Sequence, residues 1–216
     1  MQPTLNFSQQ DDVFDPNAAQ PVTVIGAGSV GSQLVSMLAK IGCREIAVWD
    51  GDDVESHNIP MSAFRLSDLG KPKVEALRAL VEEQSGVRIE AIPRMYAGEN
   101  LTGTVVACVD SMEARKLLWD RVRDNPNVDV FVDTRIAEEF VAVYAVAPCD
   151  RESAEAYGKL LYPSSLAVRP TCGRHGIVYV TAVAASAAVA CLTNAWSGRK
   201  KDRHFKMLVG SLERLS

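Results

Sequence analysis

No Cys-x-x-Cys pair occurs in the 216 residues; the five cysteines, at 43, 108, 149, 172 and 191, stand far apart. That spacing argues against the paired thiolates of a structural zinc site, so no structural zinc is expected. With no close pairing to suggest a disulfide framework, a reducing, cytoplasmic setting fits best. A basic excess is missing too. Lys and Arg number 23 against 27 Asp and Glu, a net charge of −4, which argues against a nucleic-acid partner. The first 20 residues lack the charged-then-apolar pattern of a secretory signal and carry Asp11, Asp12 and Asp15. No internal repeat is visible. Residues 177–196 lack any charge, but Thr181, Ser186, Thr193 and Asn194 dilute their hydrophobicity. They read as a buried helix packed against protein, and no membrane partner is expected.

What is present is an ordinary apolar fraction of 47% and a length that suits one core. Residues 1–20, polar and holding two prolines, read as a flexible tail; residues 21–216 read as a single domain. An apolar run at 22–25 feeds Gly26-Ala27-Gly28-Ser29-Val30-Gly31. A strand entering glycines and then a helix aims unpaired backbone N–H groups at one point, and glycine lets a phosphate come close. A second apolar run at 46–49 ends in Asp50, 19 residues after Gly31, where a carboxylate can accept from ribose hydroxyls. Together these predict nucleotide binding.

Helical spacing of Val30, Leu34, Val35, Leu38 and Ile41 predicts a helix over 29–41, and Val74, Leu77, Leu80 and Val81 one over 71–84. Runs at 87–92, 104–109 and 128–132 read as strands, the last two ending in Asp110 and Asp133. Ser111 is placed to cap a helix reaching residue 123, with Glu113 in its first turn. Residues 140–146 read as a further strand, parallel or antiparallel. Residues 149–176 lack a clear period and read as a crossover loop, and the basic run 199–206 as a solvated helix face or terminus. The fold class expected is α/β: Rossmann-like, mostly parallel, with helices on both faces.

Five ordered features then resemble the ThiF/MoeB/HesA family of ubiquitin-activating-enzyme-like adenylyltransferases. They are the glycine turn; Asp50-Gly51-Asp52-Asp53-Val54-Glu55 with Asn58; Gly70-Lys71-Pro72-Lys73-Val74; Val109-Asp110-Ser111 with Arg115; and Thr171-Cys172-Gly173-Arg174-His175-Gly176. The resemblance covers roughly residues 22–195 and implies attachment of AMP from ATP to a carboxylate, with release of pyrophosphate. It implies a ubiquitin-like or sulfur-carrier protein with a C-terminal carboxylate as partner, and a homodimer. It places Gly26, Gly28, Gly31, Asp50, Asp52, Asn58, Lys73 and Asp110 around the nucleotide. Asp110 would hold Mg²⁺, Lys73 would supply a point charge to the phosphates, and Asn58 would donate to a phosphate oxygen. Cys172 stands where some relatives take the acyl group onto a thiol. Each residue has a plainer reading as well: Asp110 as a helix cap, Lys73 as a solvated lysine, Asn58 as a turn former, Cys172 as a small buried side chain. For Arg135, a structural ion pair with Glu138 is favoured over a place in the crevice.

The family pattern breaks at two arginines. Three residues after Asn58, where the family has arginine, stands Met61; Arg65 lies four residues further on, within reach of the phosphates. No arginine precedes Arg44, although many members insert one from near the N-terminus into the partner subunit. The alternative is therefore a non-catalytic nucleotide-binding homologue or the inactive half of a heterodimer. A third class, a NAD-dependent oxidoreductase, shares the glycines but has no use for Asn58, Lys73 and Asp110.

Overall fold

A computed structural model describes residues 5–163, 176–199 and 204–215. Five strands run parallel: β1 (Val22–Ile25), β2 (Ile46–Trp49), β3 (Glu90–Ile92), β4 (Gly103–Ala107) and β5 (Val128–Ala137). Three more extend the sheet antiparallel: β6 (Phe140–Val146), β7 (His204–Leu208) and β8 (Glu213–Leu215). The spatial order is β3-β2-β1-β4-β5-β6-β7-β8, so the order reverses at β1, which has β2 on one side and β4 on the other. In such a sheet the crevice outside the carboxyl ends of the strands at the reversal is where a ligand sits.

The helices are α1 (Ser29–Lys40), α2 (Lys73–Ser85), α3 (Met112–Val122), α4 (Arg151–Gly158) and α5 (Val178–Trp196). Residues of α1, α2 and α5 share one apolar core with Val24, Val48, Val106 and Val132. The opposite face packs Phe131, Trp119 and Tyr157 beneath α3 and α4. Alternate residues of β1, β4 and β5 therefore feed two cores, which keeps 22–25, 104–107 and 130–132 largely apolar. Each fully buried Leu or Val side chain contributes roughly 1.5–3 kcal/mol. The Rossmann-like α/β fold expected from the pattern of elements is the one observed.

Several expectations are corrected. Part of the segment 149–176 is helical, as α4, because Ala154 and Tyr157 have a core to enter. Residues 164–175 of that segment lie outside the described residues. The end of the basic run is not a helix face: His204–Lys206 enter β7, pairing with β6. Strand β5 runs beyond Asp133 to Ala137 because β6 pairs with it along its length. Helix α5 buries only one face, through Val180, Ala184, Ala185, Ala188 and Leu192. By length and composition it could cross a membrane, with mean hydropathy 1.6 and 39% of that window buried. Within residues 5–20, Phe14 is buried against the Trp196 ring, with centroids 6.1 Å apart.

Candidate active site

Gly26 sits at φ +100°, and a Cβ there would collide with the Cys108 carbonyl; one on Gly31 would collide with the Gly26 carbonyl. Only glycine lets the turn lie this close to β4 and lets α1 start directly over it. Gly28, by contrast, has no atom within 4 Å of its missing Cβ, and no side chain caps α1. The N-terminal N–H groups of the helix thus face open space, a ready seat for phosphate.

Asp50, directly after β2, is buried and ties two loops together. Its Oδ2 accepts from Ala27 N–H at 2.7 Å and its Oδ1 from Asp52 N–H at 2.9 Å. Burial pushes the Asp50 pKa up, against the pull of those two N–H groups and of Lys73. Lys73 Nζ lies 2.8 Å from Asp52 Oδ2 and 4.0 Å from Asp50 Oδ1. Its position follows from backbone pairing. Val54 N–H donates to Lys71 O and Gly70 N–H to Val54 O, while Lys73 N–H donates to Asp52 O at 2.9 Å. This short ladder pins the start of α2 onto the loop after β2. Asp52 itself is half exposed, so the ammonium is held by a carboxylate with room to move away.

Asp110 lies three residues beyond β4, exposed, and its carboxylate has no partner among the described residues. The cap of α3 is Ser111, whose Oγ accepts from Ala114 N–H at 3.2 Å. Asp110 is thus spared the capping role. The loop that carries it is clasped by Arg115, buried on α3, which donates to the carbonyls of Val109 and Ser111 on either side of Asp110. Arg115 also donates to Thr134 O at 3.0 Å and, through Nε, to Asp133 Oδ1 at 2.9 Å.

Of two further residues expected at the phosphates, Arg65 is engaged elsewhere, while Asn58 is held through its acceptor oxygen and not through its Nδ2 donor. Asn58 Oδ1 accepts from Glu55 N–H at 2.9 Å within a 3₁₀ turn, Ser56–Met61. The turn is fixed to the fold because Met61 O accepts from both Gln33 Nε2 at 3.0 Å and Thr181 Oγ1 at 2.8 Å. Arg65, expected within reach of phosphates, instead grips the buried Asp68 through Nε at 3.1 Å and also pairs with Glu83. Cys172, Arg174 and His175 lie outside the described residues. Among the described residues no three His, Cys, Asp or Glu side chains gather as a metal site.

The sequence reading missed a buried cluster. Asp133, fully buried, accepts from Arg115, from Arg135 Nε at 2.6 Å and from Tyr157 Oη at 3.0 Å. Arg135 pairs with Asp133 and not with Glu138. The signal available was the polar Asp133-Thr134-Arg135 inside an apolar run; polar residues there need buried partners.

The sheet order and the glycine turn at its reversal define a Rossmann-like α/β protein. More narrowly, the ThiF family model matches residues 10–209, and the chain belongs to the ThiF family. Among curated relatives, tRNA threonylcarbamoyladenosine dehydratase 2 of Saccharomyces cerevisiae is 36% identical over 49% of this chain and 26% of its own length. Ubiquitin-like modifier-activating enzyme 5 of Caenorhabditis elegans is 27% identical over 56% of this chain and 33% of its own length. The chain therefore spans about a third or less of these relatives. A solved structure of E. coli MccB with ATP shares the fold, with TM-score 0.71 and 16% identity, covering 93% of this chain and 64% of that one.

Proposed function

We propose that the chain is an ATP-dependent adenylyltransferase that activates the C-terminal carboxylate of a ubiquitin-like or sulfur-carrier protein. In that reaction a carboxylate oxygen attacks the α-phosphorus, the bond to the bridging oxygen breaks, and pyrophosphate leaves. Catalysis is positioning plus charge neutralisation, since two anions must meet. The observation that carries the reading is the convergence of three features at one strand reversal: an open, uncapped α1 terminus, Lys73 beside Asp50, and an unpartnered Asp110. The free Asp110 carboxylate suits Mg²⁺, which keeps most of its water and takes one or two carboxylates. Asp50 fixes the glycine turn and keeps lone pairs for a ribose. ATP in MccB and the modifier named for the C. elegans relative support the substrate pair. The outward face of α5, with Ala182, Ser186 and Ala190, is where a second copy would pack in a homodimer, and a cytoplasmic setting goes with this activity.

One set of observations favours a non-catalytic homologue or the inactive half of a heterodimer: Met61 at the family's arginine position, and Arg65 already neutralised by Asp68 and Glu83. Isotope exchange between pyrophosphate and ATP, run with candidate proteins bearing a C-terminal glycine, separates the two. Exchange that needs the partner and is lost in Asp110→Ala supports the enzyme. ATP binding without exchange for any candidate supports the scaffold.

A further inference from the structure

We propose that Arg135 receives the carboxylate of the incoming acyl substrate, through a guanidinium nitrogen that the fold leaves without an acceptor. This rests on the adenylation reading and names the residue that would hold its second anion.

Arg135 Nε donates to Asp133 and Nη1 to Leu160 O at 3.0 Å, whereas Nη2 is buried and has no hydrogen-bond partner among the described residues. The rest of the cluster is satisfied. Both Asp133 oxygens are taken, Tyr157 Oη donates to one of them, and all three Arg115 nitrogens have acceptors. A buried N–H without an acceptor is costly, so such an atom calls for an explanation, and a ligand is one. The charges point the same way. Two guanidinium groups share a single carboxylate, so the cluster carries one positive charge that Asp133 does not cancel.

The shape and place of the group select a carboxylate. The guanidinium lies over the Tyr144 ring at 4.9 Å from its centroid and 5.8 Å from that of Tyr157. A planar fork held flat in this way matches a planar carboxylate and loses little freedom on binding it. Arg135 stands on β5, and Lys73 follows the loop after β2, on the far side of β1 and β4. Three strand spacings of about 4.8 Å each separate the two positions, enough to place phosphates on one side and the acyl group on the other. Arg115 ties the Arg135 cluster to the Asp110 loop, touching Asp133 and both carbonyls that flank Asp110.

The test uses the full chain labelled with ¹⁵N-arginine, observing each Nε–Hε group by NMR, with the Arg135 signal assigned by its loss in Arg135→Lys. The probes are acetyl-glycylglycine with a free carboxylate and its C-terminal amide. The Arg135 signal is expected to move saturably with the free acid, in the millimolar range, and not with the amide. Arg135→Lys keeps the charge but loses the fork. In that variant, perturbation of the Arg115 signal by the free acid should need at least about fivefold more ligand. Lys at this position also guards against misfolding in Arg135→Gln, whose thermal melt is compared with the native one. No saturable movement, or equal movement with acid and amide, overturns the assignment. Native protein that responds to the acid but never binds ATP overturns adenylation and leaves the subsite standing; ATP binding without the acid response does the reverse.

Discussion

The carboxylate of Asp50 and the backbone N–H of Ala27 meet at 2.7 Å, so the end of β2 holds the glycine turn that follows β1. Through its other oxygen the same side chain also holds the loop that leads to Lys73. One buried acid thus sets the relative position of the phosphate seat and the lysine beside it.

Asp50→Asn should therefore disturb two loops at once. An amide offers one acceptor where two N–H groups are waiting, so one of Ala27 and Asp52 loses its partner. The expected loss is about 1–3 kcal/mol of stability, read from the denaturation midpoint in urea. ATP affinity, measured by calorimetry, should fall with it, because the turn no longer holds its shape. Unchanged affinity would mean that the turn holds itself.

Lys73→Gln keeps much of the side chain's length but removes the charge that faces Asp50 and Asp52. Pyrophosphate exchange should drop by about 100-fold, by analogy with the removal of one preorganised charge-stabilising donor. The melting temperature should change far less than the rate. A rate within twofold of native would place the lysine outside the reaction.

Asp110 is exposed and has no partner among the described residues, so Asp110→Asn should leave the stability within about 0.5 kcal/mol of native, read from the thermal melt. Its exchange rate, titrated against Mg²⁺, should be strongly reduced and should need more metal to reach its plateau. A stability loss as large as that of Asp50→Asn would contradict the unpartnered geometry.

Asp68 supplies a pH signature. Burial alone would push its carboxyl up, but hydrogen bonds from the Arg65 side chain and backbone and from Lys71 outweigh it, and the folded-state pKa lies below the ordinary 3.8. For a lowered acid the folded state binds the proton less readily, so the stabilisation is complete above 3.8 and disappears as pH falls through the folded value. Arg65 is well exposed, which limits the gain through screening. Asp68→Asn should cost about 1–2 kcal/mol at pH 7, and the gap to native should close only below the ordinary carboxylate range, as read from urea melts.

The legible part of this molecule is its local part. Val22, Val24, Ile46 and Val48 are apolar because they share the sheet face that the helices of one core cover, and the periodicity of Val30, Leu34 and Leu38 marks the buried side of α1. Ser111 could be recognised as a cap because its acceptor serves a donor three residues away. The β7–β8 pair was not readable: short, half-exposed strands such as His204–Leu208 carry no strong alternation, and only pairing with β6 makes them strands. Helix α4 escaped for a similar reason, since few of its residues are apolar and it is anchored chiefly by Tyr157.

Chain order alone determined the βαβ frame, the glycine turn, the place of Asp50 and Asp110 after their strands and that of Lys73 at the start of a helix. Turn chemistry and periodicity act over a few residues, and they can be read directly. Tertiary packing decided which charges remain available: Arg65 is held by Glu83, 18 residues away, while Arg115 and Arg135 converge on one buried Asp133. For Asp133 burial makes partners obligatory, because a fully buried carboxylate left unpaired is costly. The partner it selects is the nearest in space, however distant along the chain.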